Sequence, residues 1–139
     1  QQGCGQLFVQ RVAGHVVDEH MRESILFGCD GLGSRLVLVL GHRDCGAVKA
    51  TLALSDPEAD AIPFLDRVRL LIQPGLRDVQ EAYLQSSGSA RTEVINAAVA
   101  CHVRATVEEV KKFNFVEPDG LQVVGAVFDI ASGEVIFLD

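Results

Sequence analysis

A chain of 139 residues, 48% hydrophobic and 22% charged, is long and apolar enough to bury one core and too apolar to be disordered. Its formal charge of -7 argues against nucleic-acid binding, which needs a basic face, and no apolar run reaches the ~20 residues of a membrane-spanning helix. The four cysteines, Cys4, Cys29, Cys45 and Cys101, are not needed as staples in a chain with this much apolar material, so reduced thiols in the cytoplasm are expected.

Residues 6–14, QLFVQRVAG, predict a short strand closed by Ala-Gly. Residues 18–33, DEHMRESILFGCDGLG, predict a helix with Met21, Ile25 and Gly28 on one face, Leu26 and Cys29 beside them, and Gly31 and Gly33 at its end. RLVLVL, residues 35–40, is continuously apolar, the pattern of a strand buried on both faces of a parallel sheet. GAVKATLAL, 46–54, predicts a helix. The stretch 55–91 is less regular: SDPEADAIP is a capping loop, FLDRVRLLI an amphipathic helix stopping at Pro74-Gly75, LRDVQEAYLQ a second short helix, and SSGSA a polar linker. Residues 92–113 carry a stripe of Ile95, Val99, Val103, Val107 and Val110 at helical spacing. LQVVGAVFDI and EVIFLD, around Ala-Ser-Gly, predict a terminal hairpin. Strands separated by helices predict an α/β domain: a mainly parallel sheet flanked by helices, with an antiparallel C-terminal edge. No internal repeat divides the chain, so 1–139 reads as a single domain; because it opens on Gln1 and runs almost at once into a strand-like segment, we read it as N-terminally incomplete.

Ligands in such sheets gather at the carboxyl ends of strands, and there the sequence places His42 and, three residues on, Cys45. A thiolate and an imidazole leaving a strand on one short turn can reach the same metal ion, and zinc takes such donors, four in all. Cys45 would also stand at a helix N-terminus, where the dipole favours an anion. Gly41 and Gly46 flank the pair and allow close backbone approach. Two donors do not fix a zinc ion, so spacing alone leaves three readings: half of a zinc site, ordinary loop and core residues, or a reactive Cys45 thiol assisted by His42.

With these residues in view, the chain resembles the β-class carbonic anhydrases. GHRDCGAVKA resembles that family's strand ending in Gly-His-x-x-Cys-Gly; GQLFVQRVAGHVV resembles its preceding G-D-L-F-V-x-R-x-A-G-N segment. ESILFGCDGLGSRLVLVLGH, CHVRATVEEV and GLQVVGAVFDIASGEVIFLD are similar, in order, to its helix-strand lead, its late N-V-R-x-x-V-E helix and its closing hairpin. The likeness is weakest between residues 55 and 90. It implies Zn2+ held by two cysteines and a histidine, with water or an aspartate in the fourth position, and reversible hydration of carbon dioxide to bicarbonate and a proton. It implies His42 and Cys45 as metal ligands and Phe8, Phe27 and Gly46 beside the substrate pocket, against a plain core-packing role for the two phenylalanines. It implies a homodimer or higher homo-oligomer acting on a small molecule, with no nucleic acid and no membrane involved.

The family's C-x-D-x-R motif, which carries the remaining cysteine ligand and an Asp-Arg dyad, occurs nowhere in these residues. The catalytic dyad is therefore unassigned, and Cys4 is a poor substitute, falling in the turn before the Phe8 segment. Cys29 and Cys101 read as buried apolar residues on helices. His15 and His102 stand where the family often has asparagine and read as hydrogen-bonding or interface groups, His20 as a surface residue, Asp44 as a solvated loop residue, and Arg11 as a candidate ion-pair partner of that loop. Two further readings follow: a zinc-poor, non-catalytic relative serving as a structural or regulatory subunit, and a carbon disulfide or carbonyl sulfide hydrolase using the same metal chemistry.

Overall fold

The structure is a computed structural model that describes residues 2–54 and 66–138. The loop expected at 55–63 and the first residues of the helix expected at 64–72 lie outside the described residues. Among the described residues, three strands form one mixed sheet in the order β1 (Leu36–His42), β2 (Gln122–Phe128), β3 (Val135–Leu138). β1 and β2 are parallel, in register from Leu36 opposite Gln122 to His42 opposite Phe128, and β2 and β3 are antiparallel. The hairpin turns where the sequence predicts: the Asp129 carboxylate accepts the N–H groups of Ala131 and Ser132, and Gly133 supplies the left-handed residue at φ 77°.

Among the described residues, five α-helices accompany the sheet. α1 (Glu19–Leu26) is capped by the Asp18 carboxylate, which accepts the Met21 N–H at 2.8 Å. The helix expected to run through residue 33 instead widens after Leu26 into a π-turn, Phe27–Gly31, with the Leu32 N–H on the Phe27 carbonyl. α2 (Gly46–Ala53) starts directly after Cys45. α3 (Asp66–Ile72) ends just before Pro74-Gly75, as expected, but the chain then continues as a 3-10 helix, Gln73–Val79, whose first turn accepts proline because that N–H has no helical partner. α4 (Gln80–Gln85) follows, and α5 (Gly88–Lys111) absorbs most of the expected linker, leaving Ser87 in extended geometry as its N-cap.

α5 lies across one face of the sheet through the predicted stripe: Ile95, Val99, Val103, Val107 and Val110 are all buried. Contact is close because two strand positions lack side chains. A Cβ on Gly41 would stand 2.6 Å from a Val103 methyl and 3.0 Å from one of Val99; a Cβ on Gly125 would stand 2.8 Å from the other Val103 methyl and 3.2 Å from Val107. Val103 therefore sits between two glycines on neighbouring strands. Below it Val48, Leu52, Ile72 and Leu76 are fully buried and join α2, α3 and the 3-10 segment to the same core.

Two further expectations are corrected. Residues 7–12 are not paired as a strand: the three-stranded sheet does not reach them, and extended backbone becomes a strand only when a partner's N–H and C=O groups face it. Leu7, Phe8, Val9 and Val12 are exposed there. The apolar run of β1 is buried on one face only. Val39 and Gly41 face α5, while Leu36, Leu38 and Leu40 are 57%, 42% and 44% exposed on the other face. Register puts Phe137 beside Leu40 across Ala126, and Val135 beside His42 across Phe128, so the bare face is continuous over the sheet. No described helix packs there, which is why a sequence that reads as doubly buried is buried once.

Because β-branched Val103 has little rotamer freedom on a helix, Gly125→Ala is expected to cost ~1–3 kcal/mol through overpacking. Urea denaturation should show a lower midpoint with unchanged slope, and Val103→Ala in the same chain should recover part of the loss; a midpoint equal to wild type would refute the close contact.

Candidate metal centre

His42 is the last residue of β1, and the next three residues are tied down one by one. The Arg43 N–H donates to the Phe128 carbonyl at 2.9 Å, extending the β1–β2 ladder by one bond, and its guanidinium lies 3.3 Å from the Asp129 carboxylate. Asp44 has φ 58°, in the left-handed region; its N–H donates to Asn96 Oδ1 on α5 at 3.0 Å, and its carboxylate pairs with Lys49 on α2. Cys45 is extended again and becomes the N-cap of α2, its carbonyl accepting the Lys49 N–H at 3.0 Å. The Lys49–Asp44 pair is exposed, so it adds little stability and mainly fixes direction.

His42 Nδ1 lies 2.9 Å from the Arg43 carbonyl. A carbonyl only accepts, so Nδ1 carries the proton and Nε2 presents a lone pair. That tautomer is the one a metal needs, with the second ring nitrogen held by the backbone. Cys45 is 2% exposed, a thiol shielded from competing solvent, and beside it the Cβ position of Gly46 meets nothing within 4 Å. The donor set of one imidazole Nε2 and one sulfur fits an edge of a zinc site. Among the described residues no group of three or more His, Cys, Asp or Glu side chains converges on one point. Cys4 is exposed, Cys29 buried and Cys101 half-buried, and His20 is exposed on α1. Burial and the Asp30 carboxylate push the Cys29 thiol up, with Arg35 opposing, which keeps it protonated and inert.

Phe8 and Phe27 meet edge to face with centroids 6.2 Å apart, and Phe8 lies over Gly28, where a Cβ would be 3.0 Å from its ring. Both rings are about half exposed, so they do not belong to the core. Asp44 carries the ion pair with Lys49 rather than one with Arg11.

The sequence reading did not bring His15 and His102 together. They stack behind the strand tip with centroids 4.4 Å apart. His102 Nε2 hydrogen-bonds the Gly14 carbonyl at 2.9 Å, so His102 Nδ1 is a bare lone pair; it and His15 Nε2 are buried with no partner among the described residues. Burial, then the neighbouring His102 and His42, push the His15 pKa down to about 3. Burial lowers His102 as well, against the Gly14 hydrogen bond. Asn96 was also missed; its signal was a polar residue three and seven positions before Val99 and Val103 of the buried stripe.

A family model described as "Carbonic anhydrase" matches residues 1–135. A carbonic anhydrase of Mycolicibacterium smegmatis is 32% identical over 139 aligned residues, covering 96% of this chain and 64% of the relative. The chain thus spans less than two thirds of that relative's length. Among solved structures, the β-carbonic anhydrase CafA of Aspergillus fumigatus superposes with a TM-score of 0.83 at 23% identity, over 98% of this chain and 65% of CafA. A β-carbonic anhydrase of Sordaria macrospora, described as tetrameric, gives a TM-score of 0.81 at 22% identity, over 98% of this chain and 70% of its own. At these identities the two structures establish the fold.

The buried histidine pair predicts acid sensitivity. An unfolded imidazole takes up its proton as pH falls through ~6.5, whereas folded His15 stays neutral down to about 3, so the unfolded state binds more protons between those values. Stability should be full above pH 6.5 and fall below it by ~1.4 kcal/mol per pH unit from His15 alone, with His102 adding in the same direction. Urea midpoints at pH 7 and pH 5 measure this, and His15→Asn, which tolerates the left-handed φ of 41°, should flatten the slope. Equal midpoints at the two pH values would contradict the burial of neutral rings.

Proposed function

This chain belongs to the β-carbonic anhydrase family, and on that premise we propose that its protein hydrates carbon dioxide reversibly to bicarbonate and a proton, with His42 and Cys45 as two ligands of a zinc ion. The observation that carries the reading is the pair of donors on one pinned turn: His42 offers Nε2 because its Nδ1 is held by the Arg43 carbonyl, and Cys45 offers a sulfur shielded from water. Zinc supplies the Lewis acidity that activates water as a nucleophile near neutral pH. His42 and Cys45 hold the ion, and the Arg43 and Asp44 contacts orient them. By the family resemblance, Gly46, where a Cβ would meet nothing within 4 Å, and the Phe8–Phe27 pair would line the carbon dioxide pocket. Among the described residues no third side-chain ligand joins the pair, so water would fill the remaining positions, and weak activity or none is expected of the 139-residue chain alone.

The apolar face formed by Leu36, Leu38, Leu40, Val135 and Phe137 supports a homo-oligomer, as does the tetramer described for the Sordaria macrospora relative. Four free thiols support a reducing, cytoplasmic compartment, and among the described residues no helix is long and apolar enough to cross a membrane. One observation favours a second reading, a non-catalytic zinc-poor subunit: the absence, among the described residues, of any third ligand near His42 and Cys45.

Zinc content by elemental analysis, with carbon dioxide hydration by stopped flow, separates the two on wild type and Cys45→Ser. At saturating zinc, binding near one per chain that is lost in Cys45→Ser together with any hydration is expected. Wild type that takes up no zinc with its thiols reduced would overturn the metal reading in favour of the non-catalytic one.

A further inference from the structure

His42 and Cys45 belong to two separately packed bodies. His42 is held by the β1–β2 ladder, and Arg43 by the Phe128 carbonyl and the Asp129 carboxylate. Cys45 travels with α2, which is fixed to the core through Ala47, Val48 and Leu52. The torsions that join these bodies are those of Asp44, and there the backbone takes φ 58°, which a residue with a Cβ adopts reluctantly. An aspartate can support that conformation by bonding its own backbone, but this carboxylate is taken by Lys49. Support comes instead from α5, where Asn96 Oδ1 accepts the Asp44 N–H at 3.0 Å. The donor is a backbone N–H, so the amide atom facing it must be the oxygen. Asn96 stands three and seven positions before Val99 and Val103, the two residues pressed on Gly41, so one row of α5 runs beneath residues 41–44.

We propose that Asn96 is a positioning residue for the ligand turn: its amide oxygen latches Asp44 in the left-handed conformation and so sets how closely the Cys45 sulfur approaches His42 Nε2. The inference rests on the metal reading of that turn. A right-handed Asp44 would redirect the chain one residue before Cys45, while β1 and α2 place their donors only coarsely. A neutral amide suits the task, because it accepts the N–H without adding a carboxylate beside Asp44.

A double-mutant cycle tests it on the full chain, with zinc alone as the probe, in chelator competition. Asn96→Leu keeps the shape and removes the acceptor; it should weaken zinc binding about fivefold to tenfold, the worth of one hydrogen bond, and speed hydrogen exchange of the Asp44 amide by a similar factor. In the Asp44→Gly chain, where glycine takes the left-handed φ freely, the same substitution should change zinc binding by less than about twofold. A role in folding alone would lower the Tm and weaken zinc equally in both backgrounds, and that result overturns the proposal, as does unchanged zinc affinity in Asn96→Leu. Should wild type bind no zinc, the metal reading fails by itself; the Asp44 exchange then decides, a faster rate in Asn96→Leu supporting the latch and an unchanged rate overturning it.

Discussion

The separation between α5 and the sheet is set where Val103 fits between Gly41 of β1 and Gly125 of β2. A methyl group at either glycine would push the helix outward, and the neighbouring contacts would go with it, because close-packed interiors transmit small displacements. Val99 and Val107 rest on the same two glycines. One turn toward the helix N-terminus Asn96 reaches the Asp44 N–H, and on an adjoining face His102 reaches the Gly14 carbonyl. Each of these polar contacts spans a distance that exists only because the helix lies so low on the strands.

The polar groups around the strand tip divide into two kinds. Arg43 with Asp129, and Lys49 with Asp44, are ion pairs open to water, worth little in stability but able to select one orientation of the turn. His15 and His102 are a buried neutral pair whose unpartnered ring nitrogens carry a real desolvation cost. Such a cost persists where the surrounding packing over-determines the arrangement, and here Gly41 lies against the His15 ring and Gly75 against His102 Nδ1. The structure thus holds its candidate ligands from behind with neutral groups and from the sides with charged ones.

Among the described residues, the sheet is covered on one face only. Leu36, Leu38, Leu40 and Phe137 in water form a contiguous apolar surface of a kind that monomeric proteins avoid. The chain also spans 64% of the Mycolicibacterium smegmatis relative it aligns with nearly end to end. The candidate ligand turn sits at the border between the covered and the bare face, with His42 in register with Phe128 and Val135 on the bare side.

Read alone, the sequence determined the elements whose signal is local. The valine stripe of α5, the hairpin around Ala131–Gly133 and the strand that ends at His42 all follow from periodicity, turn chemistry and a run of five apolar residues, and Gly-His-x-x-Cys-Gly pointed to the family and to His42 and Cys45. Tertiary structure decided what depends on a partner. Residues 7–12 have strand composition but no ladder opposite them, and β1 has the composition of a doubly buried strand but a helix on one side only. The stacking of His15 on His102, 87 positions along the chain by number, and the bond from Asn96 to Asp44 leave no mark in local spacing. Periodicity records which face of an element is apolar; which group arrives at that face from far along the chain is fixed only when the glycines let helix and sheet close on each other.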